Sequence, residues 1–130
     1  NPDKWVVLPE IISKEPLGPL VRHGDHQWGD VVRWSLNAMI IAEELGVTSE
    51  NVDAQKSSNV PEVLRLLGVE GSYGEMLELA PDWAYQIIKQ IGNYSESYEA
   101  NVGPDTPLEI ARGLNALWTQ GGILYAPPFR

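Results

Sequence analysis

Apolar positions along this chain fall into blocks at three- and four-residue spacing, separated by short polar or glycine-containing breaks. Val31, Trp34, Ala38, Ile41, Ala42 and Leu45 form one stripe, and Val32, Leu36, Met39 and Ile40 nearly close the circle around it. This predicts a helix from Asp25, its N-cap, to about Leu45, buried on more than one side and ended by Gly46. Thr48 or Ser49 restarts a short acidic turn through Val52, and Gln55 to Asn59 is polar loop. Pro61 suits a first helical position ahead of Val63, Leu64, Leu66 and Leu67, with Gly68 as the stop. Ser72 and Glu75 hold the spacing of a capping box before Met76, Leu77 and Leu79. A further helix opens at Pro81 and buries Trp83, Ala84, Ile87, Ile88 and Ile91, stopping at Gly92-Asn93. Tyr94, Tyr98 and Val102 mark a short helix that ends at Gly103-Pro104. Thr106-Pro107-Leu108-Glu109 combines an N-cap hydroxyl, an N1 proline and an N3 glutamate, so a last helix is expected with Leu108, Ala111, Leu114 and Trp118 inward. Gly121-Gly122 ends it, and the apolar tail from Ile123 to Arg130 is expected in a groove.

The first 22 residues read differently. Prolines 9, 16 and 19 fix φ and push their predecessors toward extended geometry, which makes a helix there costly. Trp5-Val6-Val7-Leu8 and Leu17 to Val21 are expected as short edge strands that need a larger sheet. The organisation that follows is an extended connecting segment over residues 1–22 and a helical region over 23–130.

Composition narrows the function classes. The 130 residues suit one domain with a modest core. Eighteen acidic against nine basic residues give a net charge of -9, which argues against nucleic acid as a partner. No apolar run approaches the roughly 20 residues of a membrane span. The absence of cysteine removes disulfides and thiolate chemistry. Asn1 in place of an initiator methionine is expected for a processed chain or a piece of a longer one.

Catalytic and metal readings find little support. His23 and His26 flank Asp25 without further ligands at suitable spacing, and read as surface or capping histidines. Glu43 and Glu44 are adjacent on a helix, about 100° apart, so they suit a solvated helix end better than an acid–base pair. Ser72, Thr48 and Thr106 read as N-caps rather than nucleophiles, and Gly68, Gly71 and Gly74 as helix punctuation rather than a phosphate loop. Asn93-Tyr94-Ser95 matches a glycosylation sequon, a pattern too short to carry weight. Trp28, Trp34, Trp83 and Trp118 fall at positions that look inward and are expected in the core. Glu10, Ser13, Lys14 and Glu15 gather polar groups of both signs in the proline-stiffened connector, where a zwitterion could be clamped between two rigid bodies. They are the candidate ligand-binding or hinge residues. No catalytic residue, metal ligand or cofactor is expected.

Leu8-Pro9-Glu10-Ile11-Ile12-Ser13-Lys14-Glu15-Pro16-Leu17-Gly18-Pro19, then Arg22-His23-Gly24-Asp25-His26-Gln27-Trp28 and Val32-Arg33-Trp34, resemble the general L-amino-acid-binding periplasmic proteins of ABC importers. The resemblance continues through Arg65 to Gly71, Asp82-Trp83-Ala84, Gly92-Asn93-Tyr94 and Asn101-Val102-Gly103. It closes on Arg112 to Trp118 and Tyr125 to Arg130, covering essentially the whole chain. That family carries the type 2 periplasmic binding fold, two α/β lobes closing on an amino acid. The resemblance implies a mainly α piece of it: the end of lobe two, the return crossing as hinge, and the helical end packed on lobe one. The family's residues that hold the ligand's α-amino and α-carboxylate groups lie upstream of the matched segment, so neither falls on this chain. Gly29 departs from the larger residue relatives carry there.

The implied role is the substrate-binding component, whole or truncated, of an amino-acid importer, acting in the periplasm with an L-amino acid and a membrane permease as partners. The rival is a stand-alone helical interaction module that no longer binds amino acids. Orphaned strand edges also lead us to expect a homo-oligomer or a strand swap.

Overall fold

The computed structural model describes residues 4–6, 8, 10, 12, 13 and 17–129. Its axis is α1, His26–Glu44, which starts where Asp25 Oδ1 accepts from the Trp28 backbone N–H at 3.1 Å. Ala38, Ile40, Ile41 and Ala42 on its second half are buried, and the chain leaves through Gly46 at φ +67°. Around it pack α3, Pro61–Leu66, α4, Trp83–Ile91, and α5, Tyr94–Asn101, while the single turn α2, Val52–Gln55, sits on α4.

The stripe residues explain these contacts. Val63, Leu66 and Leu67 of α3 and its exit, with Trp83, Ala84 and Ile88 of α4, close over α1 together with Val47 and Val52. Gly68 has φ +70°, and a Cβ there would strike the Pro81 carbonyl, so the α3 exit can approach α4 only as glycine. The tail then crosses the same core. Ala126 and Phe129 are buried, whereas Ile123 and Tyr125 face outward, and Leu124 makes an isolated parallel bridge to Leu117. The groove expected for the tail is therefore real, and Phe129 is its anchor.

The mainly helical reading holds, with four departures. Leu17 to Val21 forms no strand, nor do Trp5, Val6 and Leu8; Val7 lies outside the described residues. Among the described residues no neighbouring strand offers a ladder, and an unpaired strand is not stable. The helix expected at Thr106 does not form: Glu109 has φ +51° and Gly113 φ +48°, and only short 3₁₀ turns follow at Gly113–Asn115 and Trp118–Gln120. Thr106 Oγ1 instead donates to the Gly103 carbonyl at 2.8 Å and accepts from Leu108 N–H at 3.2 Å, a local turn that competes with helix initiation. Leu108, Leu114 and Trp118 are consequently exposed. Ser72 and Glu75 make no reciprocal caps; a 3₁₀ turn, Glu75–Leu77, buries Leu77 and leaves Met76 in solvent. Of the four inward tryptophans, Trp83 is buried and Trp34 packs on the core, while Trp28 and Trp118 are 54% and 53% exposed.

A capping box forms where none was expected. The Asn93 side chain accepts from Glu96 N–H at 3.0 Å, and Glu96 Oε2 accepts from Asn93 N–H at 2.8 Å. Asn93 Nδ2 also donates to the Val47 carbonyl at 2.9 Å, and Ser49 Oγ donates to Glu96 Oε1 at 2.6 Å. One polar cluster thus joins the α1–α2 connection to the start of α5.

Candidate functional site

Of the four residues singled out in the connector, two fall among the described residues. Glu10 and Ser13 are exposed and line none of the three concavities described below. Lys14 and Glu15 lie outside the described residues.

Concave surface occurs elsewhere. Near the start of α1, a polar hollow of about 270 Å³ gathers Arg22, His23, Asp25, His26, Asp30 and Arg33. Both histidines are exposed there, and Arg33 pairs with Asp30 at 3.6 Å. No group of three or more metal-ligating side chains occurs among the described residues. A second hollow, of about 250 Å³, lies where Phe129 meets Trp34, Tyr73, Met76 and Leu77. Its walls are aromatic because the Phe129 ring stacks on Trp34 at 5.3 Å and on Tyr73 at 5.6 Å, with Trp83 edge-on at 6.0 Å.

The third hollow, also about 250 Å³, opens at the end of α1 between Glu44, Leu45, Glu62, Trp118, Tyr125 and Ala126. Trp118 Nε1 donates to Glu44 Oε1 at 3.2 Å, and the Trp118 and Tyr125 rings meet edge to face at 6.1 Å. Glu62 pairs with Arg65 at 3.5 Å.

Glu43 and Glu44 have separate tasks, as their angular offset requires, but the helix end is not simply solvated. Glu43 is nearly buried and takes both oxygens to one nitrogen of Arg112, at 3.0 and 3.1 Å. Arg112 also lies over the Tyr94 and Tyr98 rings, 5.5 and 5.3 Å from their centroids, and donates to the Asn115 carbonyl at 2.8 Å. This arginine fixes the irregular segment after α5 against α1. Sequence spacing gave no sign of it, because the partners are 69 residues apart.

Between α2 and α4, Asp53 accepts from Lys89 Nζ at 2.7 Å and from Tyr85 Oη at 2.8 Å. The hydrogen bond from Lys89, followed by that from Tyr85, holds the Asp53 carboxyl below the usual carboxylate range. The same contacts with Asp53 raise Lys89 and Tyr85.

No family model matches the chain. YhdW of Escherichia coli strain K12, whose name provisionally assigns it to amino-acid ABC transporter binding, is 59% identical over 132 residues. The match takes in 100% of this chain and 38% of YhdW. The general L-amino acid-binding periplasmic protein AapJ of Rhizobium johnstonii is 57% identical over 132 residues, with 100% of this chain and 39% of AapJ covered. A solved ABC transporter periplasmic binding protein from Brucella ovis, with glutathione bound, superposes at TM-score 0.94 and 54% identity over 100% of this chain and 41% of its own. The chain therefore spans about two fifths of the length of each of these proteins.

Proposed function

We propose that this chain, homologous throughout its length to a portion of the amino-acid-binding proteins of ABC importers, contributes that portion to the periplasmic substrate-binding component of such an importer. The observation that carries the reading is the end-to-end match at 57–59% identity, too extensive for a shared helical motif alone. The role is binding, not catalysis. The ligand class is a free L-amino acid or a small peptide presenting the same α-amino and α-carboxylate groups, since one structural relative holds glutathione. The partner is the membrane permease.

In this reading residues 1–22 are the crossing between two lobes, Glu10, Ser13, Lys14 and Glu15 lie at the hinge or line the closing ligand cleft, and residues 23–130 are the helical end that packs against one lobe. Lobe closure would then rotate rigid bodies about this connector.

A chimera tests the proposal. The stretch of AapJ that this chain matches is replaced by the chain itself, and binding of L-glutamate, L-glutamine and glutathione is measured by calorimetry. We expect binding on the order of 1 μM, about -8 kcal/mol. A chimera that folds but gives no heat with any amino acid or with glutathione sinks the reading.

A second reading is favoured by one observation: Leu17 and Leu20 are almost wholly exposed, as are many apolar side chains of the connector. By itself the chain would act as a helical interaction module, pairing or swapping the 17–21 segment between two copies. Heat from the 130-residue chain alone with L-amino acids would speak against that module. A clean monomer in sedimentation equilibrium would remove the homo-oligomer.

A further inference from the structure

The hollow at the end of α1 combines features the other two lack. Two large aromatic side chains are exposed to solvent, Trp118 at 53% and Tyr125 at 65%, and their planes meet at 71°. The hydrogen bond from Trp118 Nε1 to Glu44 fixes the indole, so its face is held in place rather than swept by rotation. Leu45 and Ala126 add apolar lining, and Glu44 and Glu62 are the acidic residues of the lining. Arg65 offsets part of the Glu62 charge, whereas the only side-chain partner of Glu44 among the described residues is the neutral indole N–H. The aromatic hollow beside Phe129 has no charged wall, and the hollow at the start of α1 has no tryptophan, tyrosine or phenylalanine.

From this arrangement we infer that the Trp118–Tyr125 corner is a binding site for a small organic ammonium ion of the trimethylammonium type. A cation over an indole or phenol face is attracted by the ring quadrupole, and a nearby carboxylate adds to that attraction. Two rings meeting near a right angle present a concave corner. A rounded tetrahedral head can rest on the open face of one ring and against the uncovered margin of the other, while a flat guanidinium stacks on only one. The volume of about 250 Å³ suits a ligand of a few heavy atoms rather than a folded partner. The chain's net charge of -9 draws cations toward it in general. The site is independent of the amino-acid-binding role and uses none of the connector residues.

The experiment follows the Trp118 indole N–H resonance of the 130-residue chain, assigned by its loss in Trp118→Phe, during titration with choline chloride. The neutral isostere 3,3-dimethylbutan-1-ol and methylguanidinium chloride serve as comparisons. We expect a saturable shift with Kd on the order of 1 mM for choline, at least fivefold weaker binding of the neutral alcohol, and weaker binding of methylguanidinium. Glu44→Gln keeps an acceptor for the indole and removes only the charge; it should weaken choline about fivefold and leave the alcohol unchanged. Tyr125→Leu, at an exposed position, should weaken choline by a similar factor, with an unchanged amide spectrum as the control for folding. The inference is overturned by the absence of a saturable shift, by equal affinity for choline and the alcohol, by tighter binding of methylguanidinium, or by a folded Glu44→Gln variant that binds choline as well as the parent.

Discussion

Phe129 is the side chain on which the tail depends. Its ring lies between Trp34 and Tyr73 and meets the edge of Trp83, so removing it empties the centre of an aromatic cluster. Phe129→Ala should lower unfolding free energy by about 3–5 kcal/mol in urea titrations. Asp53 acts in the opposite setting, on the surface. Its folded-state pKa is lowered, so its contribution is present above the unfolded carboxylate value, roughly 3.9, and is lost as pH falls through the lower folded value. Lys89 and Tyr85 are raised, so their contributions are present below their unfolded values, roughly 10, and are lost as pH rises through the higher folded ones. Asp53→Asn should therefore lower stability at neutral pH and flatten the stability profile at both extremes, as measured by urea midpoints from pH 2 to 11. A profile that keeps its shape would show that Asp53 is not the centre of this coupling. The tail was legible as an apolar segment seeking a groove. That Phe129 in particular fills it was not, because its partners come from three separate elements.

Two N-terminal signatures separate pattern from outcome at the level of the element. Thr106-Pro107-Leu108-Glu109 carries every local signal for a helix, yet Ile110 N–H bonds back to the Val102 carbonyl at 3.0 Å and Tyr98 Oη donates to the Ala111 carbonyl at 3.1 Å. With Arg112 tied to Glu43, these contacts bend the segment onto α5 and α1, and Gly113 and Asn115 have little helix propensity with which to resist. Asn93-Tyr94-Ser95-Glu96 holds the same N-cap to N3 spacing and does form its box, though in the sequence Asn93 reads as a helix stop and a sequon rather than a cap. Asn93→Ala should cost about 2–3 kcal/mol, since it loses a cap and leaves the Val47 carbonyl without its buried donor. Thr106→Ala should cost under about 1 kcal/mol, because it removes only a local turn bond and no helix depends on it. Urea midpoints of the two variants, with helicity from circular dichroism, check the contrast.

For the whole molecule, the described residues ahead of Arg22 contribute nothing to the buried core. Deleting residues 1–21 should change the thermal midpoint by less than about 4 °C, near the smallest shift that 1 kcal/mol makes in a domain of roughly this size. A larger fall would mean that the connector is part of the helical domain. The sequence by itself determined the position of α1, the faces that α3 and α4 bury except for Ile91, which is exposed, the stops at Gly46, Gly68 and Gly92, and the family resemblance, because each rests on neighbours within a turn or two or on residue identity. Tertiary structure decided the rest. It withheld a ladder from Leu17–Val21, unwound the expected helix at Thr106, turned Trp118 outward beside Tyr125, and joined Glu43 to Arg112. Those outcomes depend on contacts between residues far apart in the chain, whose energies exceed the few tenths of a kcal/mol that local propensity supplies at each position.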